Sequence, residues 1–295
     1  MERDVLLSGA PLTMMQNGLG FEAMYALSET MDTTEYHCHD FYEFYIHIRG
    51  GQYFGLDDVL YQLLPFQVFV VPPFSMHGLS SDRKLSMYER AYINLTPETL
   101  KTLGCGQIDL DRFFRGYVSQ GQYTFQLAQD DARRCIQWIS ELQDGISSRD
   151  PLVQFGNYGK LMSFLDVICR SISSARPLQG KVISNSVIQE ILTYINGNYT
   201  QPLRIEALAR RFGVSVSYLS HEFARFTNRS VYDYILYRRV MLARQLMQTD
   251  ISLNAIAYQC GFNDYSNFLR MFNKLVGMSP SQFRRQQRGA GSITG

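Results

Sequence analysis

The sequence predicts an α+β, multidomain chain: a β-rich N-terminal domain with accessory helices, then an all-α domain in which one helix-turn-helix unit occurs twice. Three observations predict it. Residues 18–95 are rich in aromatic and β-branched residues broken by Gly and Pro. Residues 187–288 instead show helical periodicity with a glycine turn that recurs about fifty residues on. The net charge of +1 hides a division: residues 1–180 hold 14 Lys+Arg and 21 Asp+Glu, while residues 181–295 hold 14 and 6. A basic third on an acidic remainder suggests that one part meets a polyanion and the other does not.

At 295 residues the chain can bury two cores. In the first domain, set at residues 1–175, the runs FYEFYIHI, GQYFGL, VLYQLL and QVFVVPP read as short strands separated by turns. Successive strands of this kind predict a small sandwich or barrel over about 18–95. Helices follow over about 97–175. Asp130 or Asp131 is expected to cap one that carries Cys135, Ile136, Ile139 and Leu142 on a single side. A second covers Gln154 to Ser173, with Leu161, Leu165, Ile168 and Ile172 aligned, and the pair could pack on the barrel or on another subunit. Residues 176–186 read as a polar linker, and 289–295 as a disordered tail. No run of eighteen apolar residues exists, so no membrane partner is expected. The start lacks a basic segment followed by a long apolar one, and five scattered cysteines fit reduced thiols. A cytoplasmic location is therefore expected.

In the first copy of the repeated unit, Ile205, Leu208, Ala209 and Phe212 mark an apolar helical face and Gly213 ends that helix. Ser215 then caps a helix with Val216, Leu219, Phe223 and Phe226 inward, which displays Ser217, Ser220, His221 and Ala224. In the second copy Ser252 caps, Gly261 and Phe262 turn, and Asp264 takes the place of Ser215. Phe268, Phe272 and Leu275 are inward. Ser266, Leu269 and Arg270 then match Ser217, Ser220 and His221. A helix of this kind fits the DNA major groove, where Arg270 suits guanine O6 and N7. Arg225 and Lys274 suit phosphate contact. Val231 to Thr249, free of Gly and Pro, reads as a nineteen-residue spacer helix about 28 Å long.

The tandem unit, and IAYQCGFNDYSNFLRMFNKLVGMSP above all, resembles the DNA-binding domain of AraC/XylS-type transcription regulators. The resemblance implies double-stranded DNA as partner, base contacts at Ser217, Ser220, His221, Ser266 and Arg270, and Tyr265 as a further candidate. The sequence departs from the family where a basic pair often follows the inward Phe. It has Ala224-Arg225 and Asn273-Lys274, which implies one phosphate-facing charge fewer per copy and weaker binding at physiological salt.

In the N-terminal domain HCHDFYEFYIHIRGG supplies His37, His39 and Glu43, and PPFSMH supplies His77. In a strand His37 and His39 share a face, with Cys38 opposite. Three imidazoles and a carboxylate are a set a divalent transition metal can take. The spacing resembles the first cupin motif, and residues 18–95 resemble the cupin-like sensor of many AraC-type regulators, in which such histidines commonly persist without metal. The expectation is therefore no cofactor, with small-molecule contact by His37, His39, Glu43, His77 and Tyr53. Arg49 resembles a ligand-contacting arginine of the family's sugar sensors. The chain is expected to be a non-enzymatic regulator, an activator by resemblance, working as a homodimer with RNA polymerase under a small-molecule effector such as a sugar. The alternatives are a metal-dependent cupin enzyme with a DNA-binding tail, and a ligand-free regulator whose barrel only dimerises.

Overall fold

The computed structural model describes residues 20–31, 34, 36–81, 84–174, 186–247 and 249–290. The linker expected at 176–186 lies outside them except for Ser186, and the tail expected at 289–295 except for its first two residues.

Strands β1 (Phe21–Met31), β2 (Tyr42–Arg49), β5 (Gln67–Val71), β7 (Leu85–Leu95) and β8 (Thr124–Gln126) form one sheet in the order β1-β7-β2-β5-β8. Strands β3 (Tyr53–Leu56), β4 (Val59–Gln62) and β6 (His77–Ser80) form a second, ordered β4-β3-β6. All pairings are antiparallel. The strands thus make two facing sheets rather than one closed barrel.

Alternation of side chains builds two cores from the larger sheet. Tyr45, Phe69, Val71 and Tyr88 meet Phe54, Leu56 and Tyr61 of the smaller sheet. Phe44, Ile46, Val68, Val70 and Ile93 point the other way, against helices. Burial on both faces explains why β5 reads QVFVV without a polar interruption.

The covering helices are α1 (Pro97–Leu103), α2 (Leu110–Ser119), α3 (Gln129–Gly145) and α4 (Pro151–Ser174). Ile139 and Leu142 of α3 and Leu161, Phe164 and Leu165 of α4 bury against the sheet, so this pair packs within the chain. Neither Asp130 nor Asp131 caps α3; Ala128 holds the N-cap position without a side-chain bond. The two acids lie in the first turn instead, where they complement the helix dipole and pair with Arg133 and Arg134.

The C-terminal domain comprises α5 (Ser186–Asn198), α6 (Ile205–Arg211), α7 (Val216–Thr227), α8 (Val231–Leu246), α9 (Leu253–Gln259), α10 (Tyr265–Val276) and α11 (Pro280–Ala290). Helix α8 stops at Leu246 and is therefore about 24 Å long, shorter than the expected spacer. Val216 is 39% exposed rather than inward, and Val276 is buried beside a half-buried Leu275. Gly261 is required twice over. Its φ is +86°, and a Cβ would lie 2.3 Å from the Thr200 carbonyl oxygen.

The two domains share a core. Tyr36, Cys38, Leu60 and Met76 of the N-terminal domain are fully or nearly buried in the cluster that holds Phe223, Tyr234, Val240, Phe268 and Phe272.

Candidate nucleic-acid interface and sensor cluster

The reading helices α7 and α10 start alike because each has a short polar cap. Ser215 accepts from the Tyr218 N–H at 3.1 Å and Asp264 from the Asn267 N–H at 2.6 Å. Leu219 and Phe223, and likewise Phe268 and Phe272, are fully buried and fix which face remains outside. Ser217, Ser220, His221 and Arg225 are exposed on α7; Ser266, Arg270 and Lys274 are exposed on α10. Ser217, His221 and Arg225 therefore lie on the same outer face as their counterparts Ser266, Arg270 and Lys274, whereas Ser220 is matched by Leu269. Tyr265 is half-buried and leans on Phe268, with ring centroids 5.8 Å apart. Leu269 also packs against the core, so it is a scaffold residue first.

The electrostatics of the two faces differ. The Arg270 guanidinium donates to Asn267 Oδ1 at 3.0 Å, a neutral partner. On α7 the Arg225 guanidinium donates to Glu222 at 2.8 Å, and His221 Nδ1 lies 3.2 Å from the same carboxylate.

The N-terminal histidines converge as their residue types suggest. His39 Nε2 lies 3.2 Å from Glu43 Oε2, and His77 Nε2 lies 3.5 Å from the same oxygen. The donor atoms of His39, Glu43 and His77 all fall within 4.8 Å of one another. His37 packs against this group at a tilt, its ring centroid 4.3 Å from that of His77, and its backbone bridges His77. His39 Nδ1 is 2.9 Å from the Phe41 carbonyl and His77 Nδ1 is 3.0 Å from that of Ser75. Each Nδ1 thereby acts as donor, and each Nε2 is turned toward Glu43. Burial would raise the Glu43 carboxyl, but His39 and His77 outweigh it and hold it well below its ordinary range. Burial lowers His39, whereas Glu43 overcomes burial at His77 and raises it. Such a site has the geometry to take a proton or a cation between its imidazoles and its carboxylate; its donor set fits a divalent metal.

Two predicted ligand residues do not join this cluster. Arg49 lies at the opposite end of β2 from Glu43, roughly 20 Å along a six-residue run, and its guanidinium pairs at 2.6 Å with Glu89 on β7. Tyr53 starts β3 three residues from Leu56, the partner of His77, and packs against the core shared with the helices.

Sequence reasoning missed a strap, residues 36–40, that joins the two regions. Tyr36 N–H donates to the Thr227 carbonyl at 2.9 Å, and the Arg229 guanidinium donates to the Tyr36 carbonyl. The Tyr237 hydroxyl accepts from Cys38 N–H at 3.1 Å and is 3.0 Å from the Cys38 carbonyl, to which it donates. The Arg244 guanidinium donates to Asp40 at 2.5 Å and is almost fully buried. Tyr36, Cys38 and Asp40 thus bond to the helices, while His37 and His39 between them face the histidine cluster. Behind the strap Phe74 donates its N–H to the His39 carbonyl and accepts from Arg238. The available signal was in α8: Leu236, Tyr237, Val240, Met241 and Arg244 form a second buried stripe, as in a helix covered on more than one side.

Two family models match the chain: an AraC-like ligand binding domain over residues 21–165 and a helix-turn-helix domain over 208–286. The uncharacterised HTH-type transcriptional regulator YdiP of Escherichia coli is 36% identical over 38% of this chain and 37% of its own length. The HTH-type transcriptional activator RhaR of Shigella dysenteriae is 25% identical over 84% of this chain and 86% of its own. The C-terminal domain of AraT, a response regulator from Geobacillus stearothermophilus, aligns with 35% of this chain and 86% of that one, at 27% identity and a TM-score of 0.34. The chain spans half or less of the first three curated relatives it matches. A β-rich sensor-type domain in front of paired reading helices, matched in that order by the two models, identifies the chain as a member of the AraC-type transcription regulators.

Proposed function

We propose that the chain is a sequence-specific, DNA-binding transcription regulator controlled by a small molecule held in its N-terminal domain. One observation carries the reading: the domain with the histidine cluster is strapped, residue by residue, onto the end of the first of two like reading helices and onto α8, which joins them. A ligand that favours one arrangement of the His39, Glu43 and His77 side chains would act at His39, which lies between Cys38 and Asp40 of the strap. It would then shift how α7 is presented to DNA, by the difference in its affinity for the two arrangements. Activation as the sign is supported by likeness to RhaR, which is named an activator, and a sugar or related metabolite is the effector proposed. RNA polymerase is the partner that activation requires.

A homodimer is also proposed. Leu152 and Phe155 on α4 are nearly four-fifths exposed, an apolar surface that the described residues leave uncovered. No described helix is long and apolar enough to cross a membrane.

A second reading is favoured by the cluster's geometry: His39, Glu43 and His77 hold a divalent cation, with no enzymatic role assigned to it. The first test is fluorescence anisotropy of the full chain against native promoter fragments and random duplexes, across salt, with and without a panel of sugars and carboxylates. Binding without sequence preference or salt dependence would sink the first reading. Metal analysis after purification without chelator, beside His39→Ala, decides the second.

A further inference from the structure

The greatest chemical difference between the reading helices is at one position. Glu222 on α7 is 16% exposed and lies between the two exposed cationic positions of its face, His221 and Arg225, with contacts of 3.2 and 2.8 Å. The matching residue on α10, at the same distance from its cap, is Met271, and α10 contains no acidic residue. Burial raises the Glu222 carboxyl, but Arg225 and His221 together outweigh it and hold it below its ordinary range, so the group is ionised at neutral pH.

We propose that Glu222 is a specificity-determining residue of the first reading head, holding His221 and Arg225 away from phosphate until a fitting base sequence is met. This rests on the DNA-binding reading above. An exposed pair of this kind adds little to helix stability. Against DNA its effect is larger, because binding of any sequence rests on cations that displace counterions from the phosphates. A carboxylate that occupies Arg225 and itself faces the polyanion weakens that sequence-independent part. Correct bases contribute contacts that random DNA lacks and repay the loss of the pair. The ratio of specific to random affinity therefore rises. The second head has no such restraint and supplies the general grip.

The test uses the full chain, a duplex that the native protein selects from a random pool, and a scrambled version of it. E222Q keeps the shape and removes the charge. Its affinity for the scrambled duplex should rise about threefold to tenfold and its salt slope steepen by roughly one, with a smaller gain on the selected duplex. E222D should return the slope to the native value. An unchanged slope on both duplexes would show that the carboxylate lies away from DNA and would overturn the proposal. So would a loss confined to the selected duplex, which is the signature of a carboxylate accepting from a cytosine amino group. Failure of the native chain to select any duplex would instead remove the DNA-binding reading itself.

Discussion

The first reading head is built into the sensor, whereas the second is joined to it chiefly through α8. Hydrogen bonds from Tyr36, Cys38 and Asp40 all land on α7, α8 or the turn between them. The two heads have like caps and like buried phenylalanines, so their difference does not lie in fold. It lies in what covers the back of the helix and in which charges share its front. The head under the sensor carries His221 and Arg225 paired with Glu222; the other carries Arg270 and Lys274 with no acid on their helix. One head is placed to be controlled and the other to hold on.

The sharpest way to break this division is Arg244→Ala. Arg244 lies between Asp40 of the sensor and the ring of Phe283 in the second head, 5.2 Å from its centroid. Its loss should cost about 3 kcal/mol, read as a fall in thermal or urea stability of the full chain, because a partly buried carboxylate is left alone. Next comes Arg270→Ala, expected to cost about 1–3 kcal/mol at one base position and to relax preference there. His221→Ala should cost less than that, since Glu222 already engages the ring; an equal loss from both would contradict the asymmetry of the heads. Tyr237→Phe removes the single hydroxyl that serves both the N–H and the carbonyl of Cys38. About 1–2 kcal/mol of stability should go with it, together with faster hydrogen exchange of the Cys38 amide and no change in the salt slope of DNA binding. The smallest effect separates two phosphate candidates. Lys274→Ala should flatten the salt dependence by roughly one unit, and Arg225→Ala by less, as its charge is already shared.

What was legible in the sequence follows from distance along the chain. Ser215, Ser252 and Asp264 act within three residues of themselves, and Gly213 and Gly261 act on their own backbone, so both heads could be read closely. His39, Glu43 and His77 were legible as residue types able to share a cation, and the fold does bring them together. The strap was not legible: Cys38 and Tyr237 are 199 residues apart, and neither has a partner pattern that local periodicity reveals. Gly55 held a clue. A Cβ there would come within 1.2 Å of the Tyr36 hydroxyl, so a glycine inside a strand marked the place where the strap passes. Arg49 was drawn in by resemblance and by its guanidinium, and Tyr53 as a pocket neighbour; the register of β2 and β3 separates both from the cluster.

The shared core also bears on how this chain can be recombined. A chimera cut at residues 175–185 would part Tyr36 and Cys38 from the helices that bury them and would expose apolar surface on both halves. The exchangeable unit starts later, at α9. Grafting another α9 to α11 behind Met247 would alter the site that is gripped, provided the phenylalanines of the shared core at Phe268 and Phe272 and an aromatic ring at Phe283 to cover Arg244 are kept, and would leave the sensed signal and its first reader as one inherited piece.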